Sequence, residues 1–214
     1  MNITALRPRF IKYLEPLADA CIRVGITPNQ VSLISLFFGF LSAYLYFEGR
    51  FLVGSVTLFI SAVLDLVDGS VARKVHKESE FGAVIDWIFD KYVDAFVLLG
   101  LGLGGLPVIS RLVDLPIEYR MVADFGVVAL AIIGSMMNTF IKPVVYAEVG
   151  YSERLAGKIN DPLEGVGFFG RPETLILLIL GGVTGYIWVA VLLIAVCTNI
   201  SAVQRIAYLY RRLS

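Results

Sequence analysis

The chain has 214 residues, of which 57% are hydrophobic and 17% charged, with a mean hydropathy of +0.79. A water-soluble domain carries about 25% charged residues and, at this length, lacks the interior to hide so much apolar side chain; lipid has to cover part of it. The net charge is zero, so bulk charge points to no nucleic-acid partner, and two distant cysteines, Cys21 and Cys197, exclude a disulfide framework or a thiolate metal site and read as buried small residues.

In chain order, residues 2–24 place Arg7, Arg9, Lys12 and Arg23 among apolar residues at helical spacing. That pattern predicts an amphipathic helix lying at the membrane surface over 1–26, and it has no compact apolar core or cleavage site of a signal peptide. Thr27-Pro28-Asn29 starts the first spanning helix, with Thr27 or Asn29 as the cap. Six apolar stretches follow, roughly 30–48, 51–73, 83–105, 123–146, 172–185 and 187–209, the fifth being the shortest. Gly49-Arg50 makes a tight turn, and 106–122 and 149–170 are the longer loops. The expected architecture is an all-α membrane protein: one domain over 1–214, with an interfacial helix and a six-helix bundle over 27–214. Most Lys and Arg residues fall on one side of it, in the amphipathic segment, between helices two and three (Arg73, Lys74, Lys77), around the 149–170 loop (Lys142, Arg154, Lys158, Arg171) and at the end of the chain (Arg205, Arg211, Arg212). Arg50, Arg111 and Arg120 mark the other side. Cationic loops stay in the cytoplasm, so the reading is a multi-pass cell-membrane protein with both termini and the 74–82 loop facing the cytoplasm.

Carboxylates interrupt this apolar pattern. Asp65 and Asp68 are three apart at the end of helix two; Asp86 and Asp90 are four apart at the start of helix three, so each pair shares a helix face. A short loop makes the two helices antiparallel neighbours, and the four carboxylates converge on one site. Charges within a spanning helix cost several kcal/mol each unless paired or solvated, and four carboxylates repel one another. One or two divalent cations relieve that conflict, and all-oxygen ligation suits magnesium, manganese or calcium rather than zinc. Gly69, Ala72 and Gly82 leave a shallow floor where a flat base or a diphosphate can approach the backbone, and Arg73 is suited to phosphate oxygens. Asp94 continues the Asp86/Asp90 face by one turn and suits a helix partner or a water, while Lys91 pairs with a carboxylate or snorkels. The glycines at 100, 102, 104 and 105 read as close-packing positions, including between subunits.

Asp65-x-x-Asp68-Gly69-x-x-Ala72-Arg73, eight residues, then Gly82-x-x-x-Asp86-x-x-x-Asp90 resembles the complete signature of the CDP-alcohol phosphatidyltransferases. Thr27-Pro28-Asn29 resembles the family's start of helix one, Ser79 falls where the family has a Ser or Thr near the nucleotide, and Gly167 to Glu173 and Val203-Gln204-Arg205 resemble phosphatidylinositol-phosphate synthases and their archaeal counterparts. The resemblance implies attack of an alcohol hydroxyl on the β-phosphorus of a CDP-linked lipid, with CMP leaving. It implies two divalent ions, Mg2+ or Mn2+, on Asp65, Asp68 and Asp86, with Asp90 as general base also touching metal. Thr27, Pro28, Asn29, Gln30, Gly69, Ala72, Arg73, Ser79 and Gly82 would bind the CDP donor, and a homodimer is implied.

The acceptor is a polar alcohol, with inositol 1-phosphate as the first reading and Lys142, Arg171 and Arg205 as its phosphate ligands. Two departures stand beside that. Thr174 replaces a second arginine, and Lys142-Pro-Val-Val-Tyr-Ala-Glu148 is longer than the corresponding stretch of the inositol-phosphate synthases; Arg154 or Lys158 are the substitutes. Glycerol 3-phosphate, serine or a CDP-inositol donor are the alternatives with the same chemistry. A cation-coupled transporter is the alternative outside it, disfavoured because transport gives no reason for Gly69, Ala72, Arg73 and Gly82 at these intervals and no matched halves are visible.

Overall fold

A computed structural model describes residues 7–76, 79–150, 154–155, 158–159, 163 and 165–213, with the backbone alone for 7–10, 154–155 and 158–159. Seven helices account for nearly all of it: α1 (Arg7–Arg23), α2 (Pro28–Phe47), α3 (Phe51–Lys74), α4 (Glu80–Leu103), α5 (Ile117–Val149), α6 (Arg171–Thr184) and α7 (Ile187–Leu213). The side chains of Arg7, Arg9, Lys77, Arg154 and Lys158, used in the orientation and acceptor readings, lie outside the described residues.

The helix starts follow local chemistry. Thr27 caps α2 in a reciprocal box: its Oγ1 accepts from the Gln30 amide at 3.4 Å, and Gln30 Oε1 accepts from the Thr27 amide at 2.9 Å. Pro28 occupies the first turn, where a missing N–H costs nothing. Ser79 caps α4 by accepting from the Gly82 amide at 3.0 Å. Two differences from expectation appear. α5 begins at Ile117, well before the predicted 123, so Glu118 and Arg120 lie on the helix. Within the 149–170 loop, Arg154–Leu155 and Lys158–Ile159 pair as a small antiparallel ladder.

Among the described residues, four helices, α2, α3, α5 and α7, are long and apolar enough to cross a membrane. α4 carries Asp86, Asp90, Lys91 and Asp94, and α6 has 14 residues, a rise of about 21 Å against a hydrocarbon core of roughly 30 Å. Large apolar side chains such as Phe37, Phe59, Ile133, Phe140 and Leu180 point outward, as lipid contact requires. The protein is a multi-pass membrane protein.

Inside, lipid supplies no hydrophobic drive for helix association, so close approach and polar pairs do the work. Ser35 and Ser61 exchange hydrogen bonds with each other's carbonyls at 2.9 and 2.8 Å, clamping α2 to α3. The Tyr46 hydroxyl meets Ser55 Oγ at 2.8 Å and the Leu178 carbonyl at 3.3 Å, joining α2, α3 and α6. Gly100 and Gly104 sit against the backbone of Ala43 and Phe47, and Gly102 against Phe125 and Val128. The glycine-rich end of α4 therefore packs on α2 and α5 of the same chain. Cys21 and Cys197 are half-buried free thiols, a correction to the buried placement expected for both.

A Cβ at Gly100 would stand 2.2 Å from the Ala43 carbonyl oxygen, a backbone atom that cannot turn away. Gly100→Val is expected to cost roughly 2 kcal/mol or more, seen as a lower thermal midpoint in detergent. Gly126→Ala, where nothing lies within 4 Å, is expected to leave the midpoint unchanged or raise it.

Candidate active site

Four helices deliver the polar side chains to one end of the bundle. α3 brings Asp65 and Asp68 in its last turns, α4 brings Asp86 and Asp90 in its first, α6 brings Arg171 at its first position, and α2 brings Ser32 one turn from its start. Together with Ser35, Leu36, Phe89 and Val93 they line a narrow cleft of about 10 Å³, roughly the room of one water.

Asp65, Asp68 and Asp86 each offer a carboxylate oxygen, and these lie within 4.8 Å of one another. Asp68 is buried, and its Oδ2 accepts a 2.6 Å hydrogen bond from Ser32 Oγ, which also donates to the Pro28 carbonyl at 3.2 Å. The start of α2 is thereby tied to the acidic end of α3. Asp90 stands one turn beyond Asp86 and faces Arg171, whose Nη2 lies 2.7 Å from its Oδ1. This is charge contact without hydrogen-bond geometry, since Oδ1 has no hydrogen-bond partner among the described residues.

Arg171 spans three carboxylates: Nη1 donates to Asp65 Oδ2 at 3.0 Å and Nε to Asp94 Oδ1 at 3.3 Å, beside the Asp90 contact. A cation at the first position of a helix opposes the helix dipole by several tenths of a kcal/mol. Three carboxylates outweigh that. The preceding segment is fixed by the Phe169 carbonyl, which accepts from Asn138 Nδ2 and Ser201 Oγ, both at 2.8 Å, and by Glu173 Oε2, which accepts from the Gly170 amide at 2.9 Å. Thr174 is buried, its hydroxyl donating to the Gly170 carbonyl at 3.1 Å.

The other expected residues fall in distinct places. Gly69 has open space where a side chain would be, meeting only Arg73 Nη1 at 3.5 Å, and the Arg73 guanidinium donates to Ser70 Oγ at 3.1 Å. Ala72 and Gly82 are half-exposed on their helices; Thr27, Gln30 and Ser79 spend their side chains on helix caps. Arg205 is not at the cleft. It is 5% exposed and its guanidinium donates to the carbonyls of Val166 and Asn138, bracing the loop before α6 against α5 and α7. Lys142, half-buried on α5, is not among the residues lining the cleft. Arg171 is the one basic residue among those lining residues.

Ser32 was missed at the level of sequence. Its signal is a hydroxyl in an apolar helix four residues after Pro28 and three before Ser35, on a face turned to the carboxylates. The partners of Arg171 were missed too, because they lie up to 106 positions away.

Comparison with known proteins adds three findings. Residues 25–196 match the family model of CDP-alcohol phosphatidyltransferase. Archaetidylinositol phosphate synthase of Pyrococcus horikoshii is 28% identical over 211 residues, covering 99% of this chain and 98% of that protein. Crystal structures of phosphatidylinositol phosphate synthase of Mycobacterium tuberculosis share the fold at 24% identity: one with CDP-DAG bound, with a TM-score of 0.71 over 93% of this chain and 94% of that one, and one in complex with manganese and citrate, with a TM-score of 0.70 over 91% and 88%.

Proposed function

This chain belongs to the CDP-alcohol phosphatidyltransferase family, and on that footing we propose that it moves a phosphatidyl-type or archaetidyl phosphoryl group from a CDP-linked lipid to a hydroxyl of inositol 1-phosphate, releasing CMP. The observation that carries the reading is the convergence of Asp65, Asp68 and Asp86 within 4.8 Å, with Asp90 and Arg171 against them. The full-length similarity to an archaetidylinositol phosphate synthase supports the acceptor.

The donor set fits a hard divalent cation. Oxygens around Mg2+ lie about 3.0 Å apart when cis and about 4.2 Å when trans, given the ~2.1 Å bond, so a trio already within 4.8 Å can close on one ion by side-chain adjustment. Asp65, Asp68 and Asp86 would hold Mg2+ or Mn2+, with Asp90 joining a second ion as expected from the family signature. Bound there, such ions would neutralise the diphosphate and the charge developing on departing CMP.

The remaining steps belong to the protein. Ser32 orients Asp68. The cap of α2 (Thr27, Pro28, Asn29, Gln30), the open backbone at Gly69, Ala72 and Gly82, and Arg73 and Ser79 form the donor's seat. Asp90 accepts the proton of the acceptor hydroxyl as its oxygen bonds to the β-phosphorus and the bond from that phosphorus to the bridging oxygen breaks, with CMP leaving on that oxygen. Arg171 faces the same cleft and takes the acceptor's phosphate; with Arg205 engaged by carbonyls, and Arg171 the one basic residue lining the cleft, Arg171 is the first of the three basic candidates.

In the membrane, α2 to α7 make six spans of a single domain over 1–214, α1 lies in the interface, and both termini and the cleft face the cytoplasm. Lys74 and Arg73 at the end of α3, Arg171 at the start of α6 and Arg211 and Arg212 at the end of α7 support that orientation. A homodimer completes the proposal, supported by the family resemblance.

The test is purified protein with Mn2+ or Mg2+ and a CDP-lipid, offered inositol 1-phosphate, inositol, glycerol 3-phosphate or serine. CMP release is expected with inositol 1-phosphate and not without metal. Release with another acceptor alone would replace the acceptor, and no binding of CDP-lipid would overturn the assignment.

A further inference from the structure

The ion pairs around Arg171 include one carboxylate that the transfer chemistry does not use. Asp94 lies one turn beyond Asp90 on α4 and is 1% exposed. Its Oδ2 is 2.7 Å from Lys91 Nζ, and its Oδ1 accepts from Arg171 Nε at 3.3 Å. Burying a carboxylate among helices is costly unless it is paired, and here a single carboxylate serves two cations.

One of these cations, Arg171, stands against groups that a divalent ion needs. Arg171 already touches Asp65 and Asp90, while Lys91, next to Asp90 in sequence, makes its ion pair with Asp94. A guanidinium is a planar fork that prefers bidentate pairing with one carboxylate. Anchored through Nε by Asp94, Arg171 can give only one Nη to Asp65 and the other to Asp90. Released from that anchor, it could turn and clamp either carboxylate through two donors, in direct competition with a cation. We propose that Asp94 is a positioning residue, which limits Arg171 to a single donor on each of Asp65 and Asp90 and so leaves the remaining oxygens of both open to divalent metal. It acts through charge as well as geometry: removing one carboxylate leaves two cations less compensated beside an incoming dication.

This inference rests on the metal reading given above, and calorimetric titration of Mn2+ into full-length protein in detergent separates the two. Wild-type protein that bound no Mn2+ would sink the metal reading itself. With wild-type binding in hand, Asp94→Asn, which keeps the shape and loses the charge, is expected to raise the Mn2+ Kd at least about tenfold, as loss of groups orienting metal ligands commonly does. Asp94→Glu is expected to recover most of that loss. In an Arg171→Gln background, with no guanidinium left to compete, adding Asp94→Asn is expected to change the Kd less than about threefold. An Asp94→Asn Kd within twofold of wild type, or an undiminished tenfold loss in the Arg171→Gln background, would overturn the proposal. If Asp94→Asn alone yields no folded protein, the Arg171→Gln and double-variant pair decides by the same threefold and tenfold limits.

Discussion

Asp90→Asn is expected to lower CMP release roughly 10²–10⁴-fold, the usual span for loss of a general base, while CDP-lipid still binds within about tenfold of wild type. The separation follows from position. Asp65, Asp68 and Asp86 form the close trio, whereas Asp90 stands a turn further along α4 against Arg171. Donor and metal can be held by the trio, but a hydroxyl proton then has no acceptor. Asparagine preserves volume, so the loss would appear in kcat more than in the donor's KM. Wild-type turnover in the variant would remove Asp90 from the chemistry; a matching loss of donor binding would make it a binding residue.

Arg171→Ala has the second large expected effect, on stability and activity together. Three carboxylates, Asp65, Asp90 and Asp94, share this guanidinium, and its removal leaves their repulsion uncompensated among apolar helices. Breaking one side of a buried ion network costs roughly 3–5 kcal/mol, so the thermal midpoint is expected to fall by many degrees. Added Mn2+ is expected to restore part of the loss by replacing one cation with another at Asp65. Arg171→Lys is expected to recover the fold better than the activity, because an ammonium on a flexible stem cannot span three carboxylates at fixed angles. A stable Arg171→Ala protein with wild-type acceptor KM would contradict both roles.

How far sequence reading reached depended on whether a feature was local. The spans at 30–48, 51–73, 83–105 and 187–209 lie within a few residues of α2, α3, α4 and the body of α7, since each is an apolar run ended by Gly, Pro or charge. Asp65 and Asp68, then Asp86 and Asp90, were placed on shared faces by spacing alone, and a short loop was enough to bring the faces together. The start of α5 was misjudged because Glu118 and Arg120 look like loop residues when only hydropathy is considered. The glycines of α4 were recognised as packing positions, but the partner backbone at Ala43 and Phe47 depends on how α2 crosses α4.

Basic residues were the least legible. Arg171 and Arg205 look alike in sequence, each a cation near a helix end. In the fold one spans carboxylates in the cleft, while the other is buried under a loop whose carbonyls it satisfies. Burial and partners at long range separate them, and neither has a periodicity to read.

Anomalous diffraction from crystals grown with Mn2+ and a CDP-lipid tests the central claim most directly. Manganese density is expected among the carboxylates of Asp65, Asp68 and Asp86, against the donor's diphosphate. Diphosphate bound elsewhere, or manganese density away from these three aspartates, would contradict it.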